Sequence, residues 1–202
     1  MTVLSAMSSI AHQFALNAGT DPFRPGLLRS TYSSDWIEKY LQNQWYNDDP
    51  VAKMASQSLM QRRPVPILGK ATECDVYEEA RSYGADANIV FATPYGGNIL
   101  IVGANVDNPT SPLTQKALSD AAQLAHRFAM IERLQLLTDR QFEVLELAEC
   151  GHQGARIAAE LGITETAVAR LKSRICETLD VRNWNTAVNC YSIEKWGALV
   201  AK

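Results

Sequence analysis

The stretch LTDRQFEVLELAECGHQGARIAAELGITETAVARLKSRICETLDVRNWNTAV, residues 137–188, leaves the chain little freedom in how it folds. Val144, Leu145, Leu147 and Ala148 recur at helical spacing and mark one buried helix face. CGHQG turns the chain, Ile157, Ala158 and Leu161 bury a second helix, and Gly162 stops it. Thr164 is placed to cap a third helix, which buries Val168, Leu171, Ile175 and Leu179 at spacings of 3, 4 and 4. Two short helices joined by a tight glycine turn make a helix-turn-helix, whose second helix fits the major groove of DNA. Four short helical segments and no strand pattern predict an all-α domain here.

This segment resembles the LuxR-type regulators. The resemblance is carried by LTxRQxEVLxLxxxG, then IAxxLGIT, then AVxxxxxRI, then LDVRN followed by TAV. Such a register over about fifty residues is far more specific than a bare helix-turn-helix spacing. It implies double-stranded DNA, a promoter operator, as partner. The DNA contacts it implies fall on Thr164, Thr166, Ala169, Arg170, Lys172, Ser173 and Arg174. It also implies a homodimer, because readers of palindromic sites pair two recognition helices.

The departures bear on affinity. The family usually has glutamate at Gln141, often threonine at Ala167, and typically an acidic residue at Arg156. Ala169 and Ser173 cannot make the bidentate contact that arginine makes to guanine. Arg170, Lys172, Arg174 and Arg182 are the groups that can reach phosphates, though a solvated helix face is the other reading of that cluster. Residues 138–202 carry eight Lys plus Arg and nine Asp plus Glu, a net of −1. This half therefore lacks the strong positive charge of many DNA readers.

Residues 1–136 read as mixed α and β, with the domain boundary at 136–138 and almost no linker before residues 137–202. Helical spacing over residues 5–18 is followed by the break GTDPFRPG, a short strand at GLLRS and an aromatic helix ending near Asn47. Asp49 is the expected N-cap, with Pro50 at the first position, of a helix through VAKMASQSLMQ. RRPVPILG allows at most an edge strand. A short helix at residues 75–82, ended by Gly84, precedes a hairpin built around YGGN. A long helix follows, with an expected stripe of Leu113, Ala117, Ala121, Leu124, Phe128 and Ile131. The expected class is α+β: an α/β/α sandwich with a short antiparallel sheet, then a four-helix helix-turn-helix domain.

Tyr32, Trp36 and Tyr40 recur every fourth residue, and Asp49-Pro50-Val51 begins nine residues later. Aromatic residues at this spacing serve a core as readily as a pocket, and an aspartate before proline is an ordinary helix cap. The same spacing resembles the signature of the sensor domain in quorum-sensing LuxR-type proteins. That resemblance implies an acyl-homoserine lactone ligand held by Tyr32, Trp36, Tyr40 and Asp49. Trp36 would give its indole N–H to the ring carbonyl, Tyr32 its hydroxyl to the acyl carbonyl, and Asp49 would accept from the amide. Here too the chain departs: GTDPFRPG stands where the family usually has a strand or hairpin, RRPVPILG lacks the family tryptophan, and Asn88 replaces a glycine. A shortened sheet and a smaller or differently shaped cavity are expected.

Other functions find no support. Cys74, Cys150, Cys176 and Cys190 form no CxxC pair, and His12, His126 and His152 have no partner at ligand spacing, so neither a metal nor a cofactor is expected. No Ser/His/Asp or Cys/His arrangement or phosphate loop points to an enzyme, and no catalytic residue is assigned. Apolar runs stay well short of the roughly 20 residues that cross a bilayer, so no membrane contact is expected. The N-terminal residues lack a signal-peptide pattern, which makes a cytoplasmic location the expectation. Two functions stay open: a LuxR-type regulator, and an antagonist that forms a heterodimer with a LuxR-type relative and blocks its DNA binding.

Overall fold

The computed structural model describes residues 3–20, 27–68, 72–95 and 97–200. The chain divides into two compact units, Met1–Ala129 and Met130–Lys202.

The first unit is built on an antiparallel sheet of β1 (Gln13–Gly19), β2 (Leu27–Ser30), β3 (Val65–Pro66), β4 (Ile89–Tyr95) and β5 (Asn98–Asn105). Their order across the sheet is β2-β1-β5-β4-β3. Side chains alternate between faces, as strand geometry requires. Phe14, Leu16 and Ala18, with Ile89, Phe91, Leu100, Val102 and Ala104, pack against α1 (Val3–Met7) and α5 (Pro112–Leu134). Val90, Ala92 and Ile101 point the other way, onto α3 (Pro50–Gln61) and α4 (Asp75–Ser82). On that side α2 (Ser34–Gln42) contributes Trp36, which packs on Val76, Ala80 and Ala85. Helices on both faces of an antiparallel sheet make the expected α/β/α sandwich.

Three expectations are corrected. Residues 13–18 form a strand rather than the end of a helix, with Leu16 opposite Val102 and Phe14 opposite Ala104. Ile10, Phe14 and Ala18 satisfy helical spacing while Phe14, Leu16 and Ala18 satisfy alternation, and the long-range ladder to β5 decides between them. The aromatic helix stops at Gln42, because Gln44 turns into the left-handed region at φ +54°, and a 3-10 turn at Trp45–Asn47 follows. On α5 the buried face holds Leu118, Ala121, Ala122, Ala125 and Ala129; of the expected stripe Ala121 is buried and Phe128 packs against the core, while Leu113 and Leu124 are exposed. Alanines let the helix lie close to the sheet.

Local signals account for the rest. Asp49 caps α3 by accepting from the Val51 amide at 2.8 Å, with Pro50 at the first helical position. The hairpin closes with Tyr95 paired to Asn98 and Gly97 at φ +75°; Gly96 lies outside the described residues. Residues 21–26 of GTDPFRPG and Gly69 of RRPVPILG do so too. Strand β3 is the expected edge, only two residues long. Beyond it the Ala92 amide donates to buried Ser58 at 3.0 Å, and Ser58 in turn donates to the Arg63 carbonyl at 2.7 Å.

The second unit takes in the last turn of α5 and the helices α6 (Asp139–Glu149), α7 (Gly154–Leu161), α8 (Glu165–Leu179) and α9 (Trp184–Val200). Val144, Leu145, Ile157, Ala158, Val168, Ile175 and Leu179 are buried, as the sequence spacing requires. Gln141 completes a capping box with Thr138, its side-chain oxygen accepting from the Thr138 amide at 2.8 Å. An amide thus does the capping of the family's glutamate without the charge. Gly162, at φ +64°, makes the turn between α7 and α8. Among the described residues no helix is long and apolar enough to cross a membrane.

Candidate ligand cavity and nucleic-acid interface

A cavity of about 130 Å³ lies in the first unit between the sheet and α2, α3 and α4. That is room for roughly ten waters, or a small head group with part of a chain. Its wall includes Ala15 and Asn17 of β1, Leu28 of β2, Ile101 and Gly103 of β5, and the aromatic residues Tyr32, Trp36, Tyr40, Tyr46 and Tyr77. Among the described residues its carboxylates are Asp49 and Asp86. All four residues expected to hold a ligand, Tyr32, Trp36, Tyr40 and Asp49, line this cavity. The aromatic spacing therefore serves both readings: Trp36 is 4% exposed and packs as core, yet it bounds an open space.

The polar groups are already organised. Tyr40 donates its hydroxyl to Asp49 Oδ2 at 2.7 Å, and the Val51 amide donates to Oδ1, so the carboxylate is held from both sides. Tyr32 donates to the backbone carbonyl of Asp86 at 2.7 Å, and Tyr77 to that of Ala87 at 3.3 Å. Burial raises Asp49 above the usual carboxylate range, while Tyr40, the Val51 amide and Lys53 pull it down. Burial likewise raises Tyr32, with the charges of Asp86 and Asp49 adding to it. Tyr40 is raised by burial and then by the adjacent Asp49 charge. These phenols stay protonated and act as fixed dipoles.

Asp86, Tyr46, Tyr77 and Gly103 are part of the wall without having been singled out by spacing. Gly103 is the one with a steric reason: a Cβ there would come within 3.2 Å of Val51. Trp36 also packs at a tilt against Tyr40, Trp45 and Tyr83, at centroid distances of 5.8, 5.4 and 5.8 Å. Lys39 reaches Glu79 and lies over the Tyr83 ring, tying α2 to α4.

In the second unit α8 presents Thr166, Ala169, Arg170, Ser173 and Arg174 on an exposed face, with Thr164 exposed at its N-cap. The Thr164 hydroxyl accepts from the Ala167 amide at 3.1 Å. Lys172 differs from the others: it is half-buried, with its ammonium 4.8 Å from the centre of the Trp184 ring. That cation–π contact draws it away from the exposed face, and only the tertiary position of Trp184 reveals it. Glu165 and Glu177 are exposed on the same helix. Arg156 pairs with Glu160 at 3.8 Å, and Arg140 holds the Leu161 carbonyl at the end of α7.

A cavity-bearing sheet unit and a helix-turn-helix unit define a two-part protein of the helix-turn-helix class. Residues 135–190 match the bacterial regulatory proteins of the luxR family. A curated relative, the glycerol metabolism activator of Pseudomonas putida, is 33% identical over 125 residues, 59% of this chain and 57% of the relative. The match thus spans little more than half of that relative's length. Among solved structures, SdiA in complex with octanoyl-rac-glycerol is 17% identical with a TM-score of 0.47, covering 94% of this chain and 84% of that one. Escherichia coli SdiA in the space group P6522 gives 17% and 0.44, covering 94% of this chain and 86% of that one. The N-acylhomoserine lactone dependent LuxR family transcription factor CepR2 of Burkholderia cenocepacia gives 16% and 0.42, over 59% of this chain and 76% of that one.

Proposed function

We propose that the protein is a DNA-binding transcriptional regulator whose first unit senses a small apolar-tailed molecule such as an acyl-homoserine lactone. The observation that carries this reading is the exposed α8 face on a luxR-family helix-turn-helix, with Arg170 and Arg174 beside the short side chains of Thr166, Ala169 and Ser173. Short side chains let the helix lie deep in the major groove, where the two arginines reach phosphates on its flanks. The name of the Pseudomonas putida relative, an activator, agrees with this class. The cavity walled by Tyr32, Trp36, Tyr40 and Asp49 supports the sensing half of the proposal. The protein works in the cytoplasm as a homodimer, and the exposed Leu113 and Leu124 of α5 supply apolar surface for pairing.

Fluorescence anisotropy with promoter fragments of the host tests this function. Site-specific binding that weakens steeply with salt is expected. Failure of every fragment to compete better than random duplex would sink it. A second reading, an antagonist that pairs with a full-length LuxR-type relative, is favoured by one feature. Lys172 is engaged by Trp184, and Glu165 and Glu177 leave the α8 surface with little net positive charge. Under that reading the protein alone shows no specific binding and abolishes a relative's gel shift when mixed with it.

A further inference from the structure

We propose that the cavity takes an apolar chain whose head group carries two hydrogen-bond donors, one for Asp49 and one for Asp86. This rests on the reading of the cavity as a ligand site and specifies the chemistry of its occupant.

Most hydroxyl hydrogens of the cavity are already spoken for. Tyr32, Tyr40 and Tyr77 each own one hydroxyl proton, and each has committed it: to the Asp86 carbonyl, to Asp49 and to the Ala87 carbonyl. All three therefore meet a ligand as acceptors. Asp49 has one donor on each oxygen and keeps further lone pairs, while Asp86 Oδ2 accepts from Asn105 at 2.9 Å and Oδ1 has no donor among the described residues. Among the described residues the lining contains no Lys, Arg or His. On the donor side, the Trp36 indole N–H and the Tyr46 hydroxyl have no acceptor among the described residues.

The complementary ligand presents two donors to the carboxylates and one acceptor to Trp36 or Tyr46. An anion is excluded, since two carboxylates would repel it in a poorly solvated site. An acyl-homoserine lactone offers one N–H and several carbonyls, so it satisfies one carboxylate and leaves the other facing acceptors. A carbonyl approaching Tyr32 must also compete with the Asp86 carbonyl for the single phenolic proton. A glyceryl monoester brings two hydroxyls and an ester carbonyl. An alkylamine brings three N–H donors and a charge that the aromatic wall also favours. Both heads share the donor-rich chemistry, and the experiment separates them.

Calorimetric titration of the full chain at pH 7 uses eight-carbon probes: 1-octanoylglycerol, octylamine, N-octanoyl-homoserine lactone and octanoate. The ester or the amine should bind about tenfold tighter than the lactone, the worth of one added hydrogen bond to a charged group. Octanoate should not bind. Whichever of the two leads identifies hydroxyl or ammonium as the head. Asp86→Asn should shrink the preference to within about threefold, and its melting curve without ligand shows that it folds. The ranking on the unaltered protein decides the matter even where the variant does not fold. A lactone that binds as tightly as both other heads overturns the two-donor head and leaves the sensor reading intact, as does an Asp86→Asn protein that keeps the full preference. Binding by none of the probes overturns both.

Discussion

Arg133 and Asp180 meet at the C-terminal end of α8, with Arg133 Nη2 3.4 Å from Asp180 Oδ2 and Nη1 donating to the Leu179 carbonyl at 3.3 Å. The last turn of α5 thereby holds the end of α8, where helix carbonyls lack intrahelical donors. Burial lowers the Arg133 guanidinium from its ordinary value, and the Asp180 charge opposes that. Arg133→Ala should cost about 1–3 kcal/mol, the range for losing hydrogen bonds to a charged group in a largely buried place. Chemical denaturation measures it, and Arg133→Lys should recover only part, lacking the planar fork. A denaturation midpoint equal to that of the parent would refute the anchoring role.

Gly103→Ala should reshape the cavity without dismantling the sheet. The added methyl meets Val51 Cγ1 at 3.2 Å and Cγ2 at 3.3 Å, so Val51 must give by a few tenths of an ångström, and a shift of the start of α3 would carry Asp49 with it. A stability loss of about 1 kcal/mol is expected from such crowding, together with a larger proportional loss of ligand affinity. Equal ligand affinity in the two proteins would mean that Val51 yields without moving Asp49.

Asp49 should make stability depend on pH. Its folded-state value is raised, burial outweighing the Tyr40 and Val51 hydrogen bonds. Its contribution is therefore fully present below the unfolded value of about 4 and is lost as pH rises through the folded value. Asp49→Asn keeps a good N-cap and cannot ionise. The melting temperature of the parent should fall relative to the variant as pH is raised from about 4 to about 7. A difference that stays constant across that range would show that the carboxylate is not held in a costly charged state.

On DNA, Arg170→Ala and Arg174→Ala should each weaken binding similarly across sequences and reduce the salt slope by about one. Lys172→Ala should change the slope less, because its ammonium lies over Trp184. Trp184→Ala should free that lysine and bring its effect up to that of the arginines. Equal slopes for the three single variants would show that the cation–π contact breaks on binding.

Much of this architecture is written locally. The Thr138–Gln141 box, the glycine turn at Gly162, the Thr164 cap and the Asp49-Pro50 start all lie within a few residues of the groups that they satisfy. The helix-turn-helix was legible for that reason, and so was the aromatic wall, since Tyr32, Trp36 and Tyr40 share one side of a helical turn. What escaped depends on partners far along the chain. Residues 13–18 fit two periods, and the pairing with residues 99–105, some ninety positions away, chose the strand. The face of α5 that is buried was set by how closely a sheet can approach alanines.

Local caps, turns and periodicity specify the helix-turn-helix, the sandwich and the ring-and-aspartate constellation with short-range energies, so these are legible in the order of residues. It took the packed chain to bring Asp86 to the cavity with Asp49, to commit the Tyr32 proton to a backbone carbonyl and to lay Lys172 on Trp184. Those outcomes depend on distances between segments brought together by packing, and no spacing along the chain encodes them.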